Sequence, residues 1–199
     1  MKRTIVVAVA ATLAAVLFAG CAAGGTLKPY ESTPPQVGEK DPYATDFGGS
    51  MAEFTAEDLN GNTVTQDILA DYDLTVVEIW ATWCPSCVAA MPEVGSFYSQ
   101  LPENINYISI CSDGSTKTDK AKTIVEADGA GYTVLKDGES INAAVTNHVM
   151  GFPSFIFVDS RGKAVGKIQL GVPGGYGNIA QALLDMANAR LELLEKNAE

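Results

Sequence analysis

In the body of the chain, Leu74 to Trp80 and Ile105 to Cys111 are mostly apolar runs free of Gly and Pro. This is the pattern of strands buried on both faces. Between them, Cys84 to Leu101 predicts a helix that begins directly after the first strand. Thr118 to Ala127 predicts a weakly amphipathic helix, and Ile141 to Asn147 a short one. Phe155 to Val158 and Ala164 to Ile168 predict strands joined by the turn Asp159-Ser160-Arg161-Gly162-Lys163. Ile179 to Leu194 predicts a closing helix, with Ile179, Ala182, Leu183, Met186 and Leu194 on one stripe. Upstream, Glu53-Phe54-Thr55 and Thr63-Val64-Thr65 flank the turn signal Asn60-Gly61-Asn62 and predict a hairpin. A strand–helix–strand unit followed by an antiparallel hairpin predicts an α/β fold. Its central mixed sheet would be flanked by helices on both faces, with an N-terminal β-hairpin extension.

The pattern changes toward the N-terminus. Met1-Lys2-Arg3 is a short positive segment, Ile5 to Phe18 is apolar and uncharged, and Gly20-Cys21 follows. That order is a secretory signal, and the run is short for a permanent span, which needs about 20 apolar residues. Leu17-Phe18-Ala19-Gly20-Cys21 resembles a bacterial lipoprotein signal, in which lipid is attached to the cysteine and cleavage leaves it first. Phe18 stands where leucine is commonest. An ordinary signal peptide cleaved near Ala23 is the alternative. Residues 21–48 hold Pro29, Pro34, Pro35 and Pro42 without an apolar period, which predicts a flexible tether. The expected division is therefore a signal at 1–20, a tether at 21–48, a domain at 49–194 and a tail at 195–199.

A chain of 199 residues with 47% hydrophobic and 19% charged residues supports one globular core. Its net charge is −11, and removal of Lys2 and Arg3 would leave 11 basic against 24 acidic residues, or −13. That acidity argues against nucleic acid or an anionic lipid surface as partner. The four cysteines divide into a candidate anchor (Cys21), a C-x-x-C pair (Cys84 and Cys87) and a single (Cys111), which is not a disulfide scaffold.

Trp80-Ala81-Thr82-Trp83-Cys84-Pro85-Ser86-Cys87 sits where a buried strand meets a helix. A cysteine at a helix N-terminus faces unpaired N–H groups and the positive end of the dipole, which favour thiolate over thiol. The thiolate is the species that attacks disulfides. Cys87, one turn on, is placed to attack a mixed disulfide and release the partner. These considerations predict an exposed Cys84 and a shielded Cys87. Pro85 is tolerated at the first helical position, where its missing N–H has no partner anyway. Half of a zinc site is the competing reading, but no second C-x-x-C or paired histidines accompany it. A purely structural disulfide would close too small a loop to stabilise much.

Val77 to Cys87, Met91-Pro92-Glu93, Gly151-Phe152-Pro153-Ser154 and Asp159 to Lys163 together resemble the thioredoxin superfamily. The resemblance is closest to TlpA/ResA-like thiol–disulfide oxidoreductases and covers about Phe54 to Asn188. It implies a thioredoxin fold and dithiol–disulfide exchange at Cys84 and Cys87, without a metal or an organic cofactor. It implies that Glu78, six residues before Cys84, takes the proton from the second cysteine, although an exposed glutamate on a sheet edge is the alternative. It implies a cis bond before Pro153 and a partner groove built from Trp83, Pro85, Phe152 and Pro153. The implied partners are thiols or disulfides of exported proteins, with a membrane thiol transporter as electron donor. The implied location is the extracytoplasmic face of the cell membrane, held by a lipid anchor. Cytochrome c maturation and repair of oxidised proteins are both implied settings. A net oxidase, a peroxidase and a non-catalytic binding lipoprotein remain alternatives. The peroxidase lacks its expected proline upstream of Thr82.

Other candidates are weaker. Trp80 is expected in the core, and Pro92 is expected as a helix kink. Cys111 is expected to be buried and inert, with a redox partner as the alternative. His148, the only histidine, is expected in a solvated loop, and Lys117, Lys120 and Lys122 on a solvated helix face.

Overall fold

The computed structural model describes residues 41–129 and 131–198, without the side chain of Asp128. The signal, Cys21 and most of the tether lie outside the described residues. The elements run β1 (Thr55–Glu57), β2 (Thr63–Thr65), β3 (Leu74–Trp80), α1 (Pro85–Tyr98), β4 (Ile105–Cys111), α2 (Thr118–Asp128), β5 (Thr133–Lys136), α3 (Glu139–Ala144), β6 (Ser154–Asp159), β7 (Gln169–Leu170) and α4 (Ile179–Lys196). No helix among the described residues is long and apolar enough to cross a membrane.

Five strands form one mixed sheet in the order β5-β4-β3-β6-β7. β3 is central and every residue of it is buried. It runs parallel to β4, from Leu74 opposite Ile105 to Trp80 opposite Cys111. It runs antiparallel to β6, from Leu74 opposite Asp159 to Ile79 opposite Ser154. The ends of β3 and β4 and the start of β6 therefore share one pole of the sheet. Strand alternation sorts the core into two layers. Val76, Trp80, Tyr107, Phe155 and Phe157 face α1, α2 and α4. Val77, Ile79, Ile108, Ile110 and Ile156 face α3, Phe47, Met51 and Phe54. Helices thus cover both faces, and the fold is the expected one.

The bounds of β3 and β4 agree with the sequence pattern, whereas three expectations are corrected. The first hairpin strand is Thr55–Glu57, two residues later than expected. The reason is that Asp58 turns the chain, its carboxylate accepting from Asn60 N and Asn62 N. A strand that the pattern did not predict, β5, pairs in parallel with β4 at the sheet edge. It is short, and Leu59 N donates to Val134 O across its outer side, so the hairpin covers this edge.

The third correction concerns Ala164 to Ile168, expected as a strand. Only Ala164 bridges β6, opposite Val158. Gly166 then takes φ +71, outside strand geometry. Arg190 of α4 draws the neighbouring carbonyls to itself, donating to Val165 O at 3.0 Å and Lys167 O at 2.9 Å. Its guanidinium also lies 3.8 Å from the centre of the Phe157 ring. Burial lowers the Arg190 pKa to about 10, which leaves it charged at neutral pH. Pairing resumes at Gln169 and Leu170.

Residues 41–48 dock against the domain. Gly166 N donates to Pro42 O at 2.9 Å, and Phe47 is buried. The Tyr43 hydroxyl donates to Asp159 at 3.1 Å and accepts from Arg161 at 2.7 Å, while Lys163 Nζ sits 3.5 Å over its ring. Just after the strap, Met51 N donates to Gly162 O at 2.9 Å, and Gly162 takes φ +73, where a Cβ would come within 2.2 Å of Met51 C. The contacts of Tyr43 with Asp159 and Arg161 lie at the pole opposite Trp80, since Asp159 stands opposite Leu74.

Burial alone would raise the Asp159 pKa. Hydrogen bonds from the Arg161 side chain, Lys163 N, Arg161 N and Tyr43 outweigh it and hold the carboxyl below its ordinary range. Such a group contributes stability that is fully present above the unfolded value of about 3.9 and is lost as pH falls through the folded value. Asp159→Asn is therefore expected to flatten the fall of the urea midpoint below about pH 4. An acid slope equal to that of the parent protein would remove Asp159 from the acid response.

Candidate active site

The site is assembled by the turn that leaves β3. Ser112 N donates to Trp80 O at 2.8 Å, extending the β3–β4 ladder, and Cys84 N donates to Ala81 O at 3.1 Å. Inside the turn, Asp113 accepts from Thr82 N at 2.9 Å and from the Thr82 hydroxyl at 2.6 Å. Cys84 is extended (φ −88, ψ 105) and caps α1, with Pro85 in the first turn. Its Sγ accepts the backbone N–H of Cys87 at 3.2 Å and lies 3.4 Å from Ser86 Oγ. A disulfide joins Cys84 and Cys87, whose Cα atoms are 5.3 Å apart.

The expected exposure of Cys84 is corrected: it is 4% exposed, against 0% for Cys87. The bond to Cys87 and the Cys87 N–H both turn its sulfur into the end of the helix. It remains the more accessible of the two.

Alternation along β3 places Glu78 on the same face as Val76 and Trp80, under α1. Since β3 is central, Glu78 is wholly buried and not on a sheet edge. Tyr107 donates to Glu78 Oε2 at 2.5 Å, and Trp80 Nε1 donates to Ser109 Oγ at 3.2 Å. The Tyr107 ring is wedged among Phe97, Tyr98 and Tyr132, the last at 4.8 Å between ring centres. The aromatic packing fixes the hydroxyl against the carboxylate.

The Phe152-Pro153 bond is cis. Gly171 N donates to Pro153 O at 2.8 Å and Ser154 Oγ to Gly151 O at 2.7 Å, tying the loop to β7 and to the start of β6. The Phe152 ring meets Trp83 edge-on at 5.9 Å, which brings this loop beside the disulfide. Trp83 itself is 65% exposed. The other large hydrophobic side chains exposed among the described residues are Val88, Met150, Leu170 and Tyr176. All belong to this pole. Val88 is in the first turn of α1, Met150 precedes the Pro153 loop, Leu170 pairs with Ser154, and the Tyr176 hydroxyl lies 3.4 Å from Ser86 O. These exposed apolar side chains lie at the pole that carries the disulfide.

The sequence pattern did not point to Tyr176, and it gave Glu93 only as part of the Met91-Pro92-Glu93 motif, without a role. Glu93 of α1 accepts from Gly177 N at 2.7 Å and from Ile179 N at 2.9 Å, so the helix that carries the cysteines also grips the loop beside them. Pro92, inside α1, removes the hydrogen bond that would reach Val88 O. Cys111 is buried at the end of β4, and burial pushes its thiol up to about 12, so it is protonated at neutral pH. Its Sγ donates to Asp113 at 3.3 Å. His148 is exposed on the α3 side, 2.9 Å from Ala143 O and edge-on to Phe47, away from the disulfide. Lys117, Lys120 and Lys122 lie on or beside α2.

The sequence profile of the AhpC/TSA family matches residues 47–166. An uncharacterized protein of Haemophilus influenzae is 34% identical over 119 residues, which are 56% of this chain and 72% of that one. The chloroplastic thioredoxin-like protein HCF164 of Arabidopsis thaliana is 27% identical over 131 residues; the match takes in 66% of this chain but only 40% of that longer one. Among solved structures, the pneumococcal exposed lipoprotein thioredoxin Etrx1 of Streptococcus pneumoniae shares the fold with a TM-score of 0.52. It is 21% identical, with 68% of this chain and 98% of that one covered. Since the profile spans more than half of the sequence, the chain belongs to the AhpC/TSA family, as a thioredoxin-like thiol–disulfide oxidoreductase.

Proposed function

We propose that this protein works outside the cytoplasm, held to the membrane by lipid on Cys21, and reduces disulfides or oxidised cysteines of exported proteins. The observation that carries the reading is the Cys84 sulfur at the head of α1, receiving the Cys87 N–H and bonded to Cys87. In the reduced protein the same donors favour the Cys84 thiolate. That thiolate attacks one sulfur of a partner disulfide, forming a mixed disulfide and expelling the other partner sulfur as a thiolate. Cys87 then loses its proton to Glu78, buried on the face beneath α1, and attacks Cys84. The second partner thiolate leaves, and Cys84–Cys87 is again a disulfide. Two electrons have passed to the partner, and a membrane thiol transporter restores them.

The rim of Trp83, Met150, Leu170, Phe152 and Tyr176 supports a protein partner. It offers apolar area on both sides of the disulfide, with backbone of the Pro153 loop available for strand-like pairing. The exposed-lipoprotein thioredoxin with the same fold supports the location. Cytochrome c maturation and oxidative repair are the settings such a reductant serves.

Cys87→Ser is expected to accumulate mixed disulfides with exported proteins on non-reducing gels, and Cys84→Ser to accumulate none. Equal trapping by both would reverse or abolish the assignment of roles. Glu78→Gln is expected to slow resolution of the mixed disulfide by about 10²-fold near neutral pH while formation of the mixed disulfide keeps its rate. Loss of both steps together would mean that Glu78 acts on the fold and not on the proton. Titration against dithiothreitol is expected to give a potential near that of thioredoxin, about −270 mV; a value near about −120 mV would make the protein a net oxidase.

A further inference from the structure

We propose that Asp113 is a positioning residue for the redox pair, holding the turn that presents Cys84 to the first turn of α1. The proposal deepens the reading above and rests on the exchange chemistry assigned there to Cys84 and Cys87. Between Trp80 and Cys84 the turn makes one hydrogen bond of its own, from Cys84 N to Ala81 O. Its other anchor is Asp113, which takes the Thr82 N–H on Oδ1 and the Thr82 hydroxyl on Oδ2. Thr82 is buried and lies two residues before the nucleophile, so it has little freedom except through this clamp.

Asp113 is itself held rigidly. Its carbonyl accepts from Lys117 N at 2.9 Å and Thr116 N at 3.2 Å, and Gly114 N closes the turn onto Cys111 O at 3.0 Å. A Cβ on Gly114 would lie 3.1 Å from Cys111 Cβ, so the turn sits tightly on the end of β4. The Cys111 thiol gives the carboxylate a third donor, at Oδ1. Burial works to raise the Asp113 pKa, but the Thr82 and Cys111 hydrogen bonds hold the carboxyl below its usual range, so it is an acceptor throughout the working pH range. The end of β4 thus serves as a fixed post, and Asp113 ties the Cys84 turn to it.

The carboxylate has two separable effects on Cys84, and they carry opposite signs. As a nearby negative charge it disfavours the thiolate. As a clamp it keeps the sulfur on the helix N–H groups, which favours the thiolate. Positioning predicts that losing the clamp outweighs losing the charge.

The test uses the full chain with Asp113→Ala, Asp113→Asn and Thr82→Val. Two quantities are read: the equilibrium constant of the Cys84–Cys87 pair with dithiothreitol, and the pH profile of Cys84 alkylation by iodoacetamide. Asp113→Ala is expected to move the equilibrium toward the disulfide by roughly tenfold, about 30 mV for a two-electron couple, and to shift the alkylation profile to higher pH. Asp113→Asn, which keeps an acceptor for Thr82 N while removing the charge, is expected to restore most of both. Thr82→Val is expected to move both in the same direction as Asp113→Ala by less, since its N–H still reaches Oδ1. The double variant is expected to add little to Asp113→Ala.

A shift of Asp113→Ala toward the dithiol would overturn the proposal in favour of simple charge repulsion. A lowered melting temperature with both redox readouts unchanged would overturn it in favour of a purely structural role. If Asp113→Ala does not fold, a shift of Thr82→Val toward the disulfide with Asp113→Asn near the parent protein supports the clamp, and a shift of Asp113→Asn toward the dithiol overturns it. Failure of the exchange reading shows separately, as a parent protein whose Cys84–Cys87 pair does not equilibrate with dithiothreitol at all.

Discussion

The central position of β3 is the constraint from which the rest of the molecule follows. Its seven residues are all buried, paired in parallel on one side and antiparallel on the other. Because the two neighbours run in opposite directions, the end of β4 and the beginning of β6 arrive at the place where β3 stops. Three chain segments far apart in sequence then meet: the Cys84 turn, the Cys111–Asp113 turn and the Pro153 loop. The helix that follows β3 must pack back over the sheet, so its N-terminus points at that meeting place. The thiol chemistry is a consequence of where a buried strand ends.

Polar groups inside this core mark the places where packing alone did not decide the structure. Glu78 stands among apolar residues of the α1 layer, and Tyr107 with its aromatic collar is arranged around it. A buried carboxylate without hydrogen bonds is costly, so this pair restricts which residues fit the neighbouring positions. Arg190 does the equivalent on the other flank. Its guanidinium is satisfied by backbone carbonyls, and in claiming those of Val165 and Lys167 it removes them from the sheet. One strand is shortened so that a charge can be accommodated, and α4 is fastened to the turn beyond β6.

Features governed by local pattern were legible in the sequence. β3 and β4 were readable because an apolar run without Gly or Pro has one stable use in a domain of this size. The C-x-x-C at a strand–helix junction was readable because its spacing matches one helical turn. β5 was not, because four residues bounded by Gly131 and Asp137-Gly138 give too short a signal to distinguish strand from loop. The Ala164–Ile168 segment looked like a strand because the residue that interrupts it, Arg190, is 25 positions from Val165. The contacts of Asp113 and Glu93 were invisible for the same reason, their partners lying 31 and 84 residues away. What is missing from a sequence pattern is mainly the side chain of one element bonding the backbone of another.

The strap formed by Pro42 and Tyr43 has a mechanical meaning. It fixes the point at which the N-terminal part of the chain joins the domain, at the end of the sheet opposite the disulfide. The seven residues of β3 separate these poles by roughly 20 Å. A domain held from its N-terminal side therefore faces outward, with its reactive end turned away from whatever it is fastened to. Partners arriving from solution meet the disulfide directly.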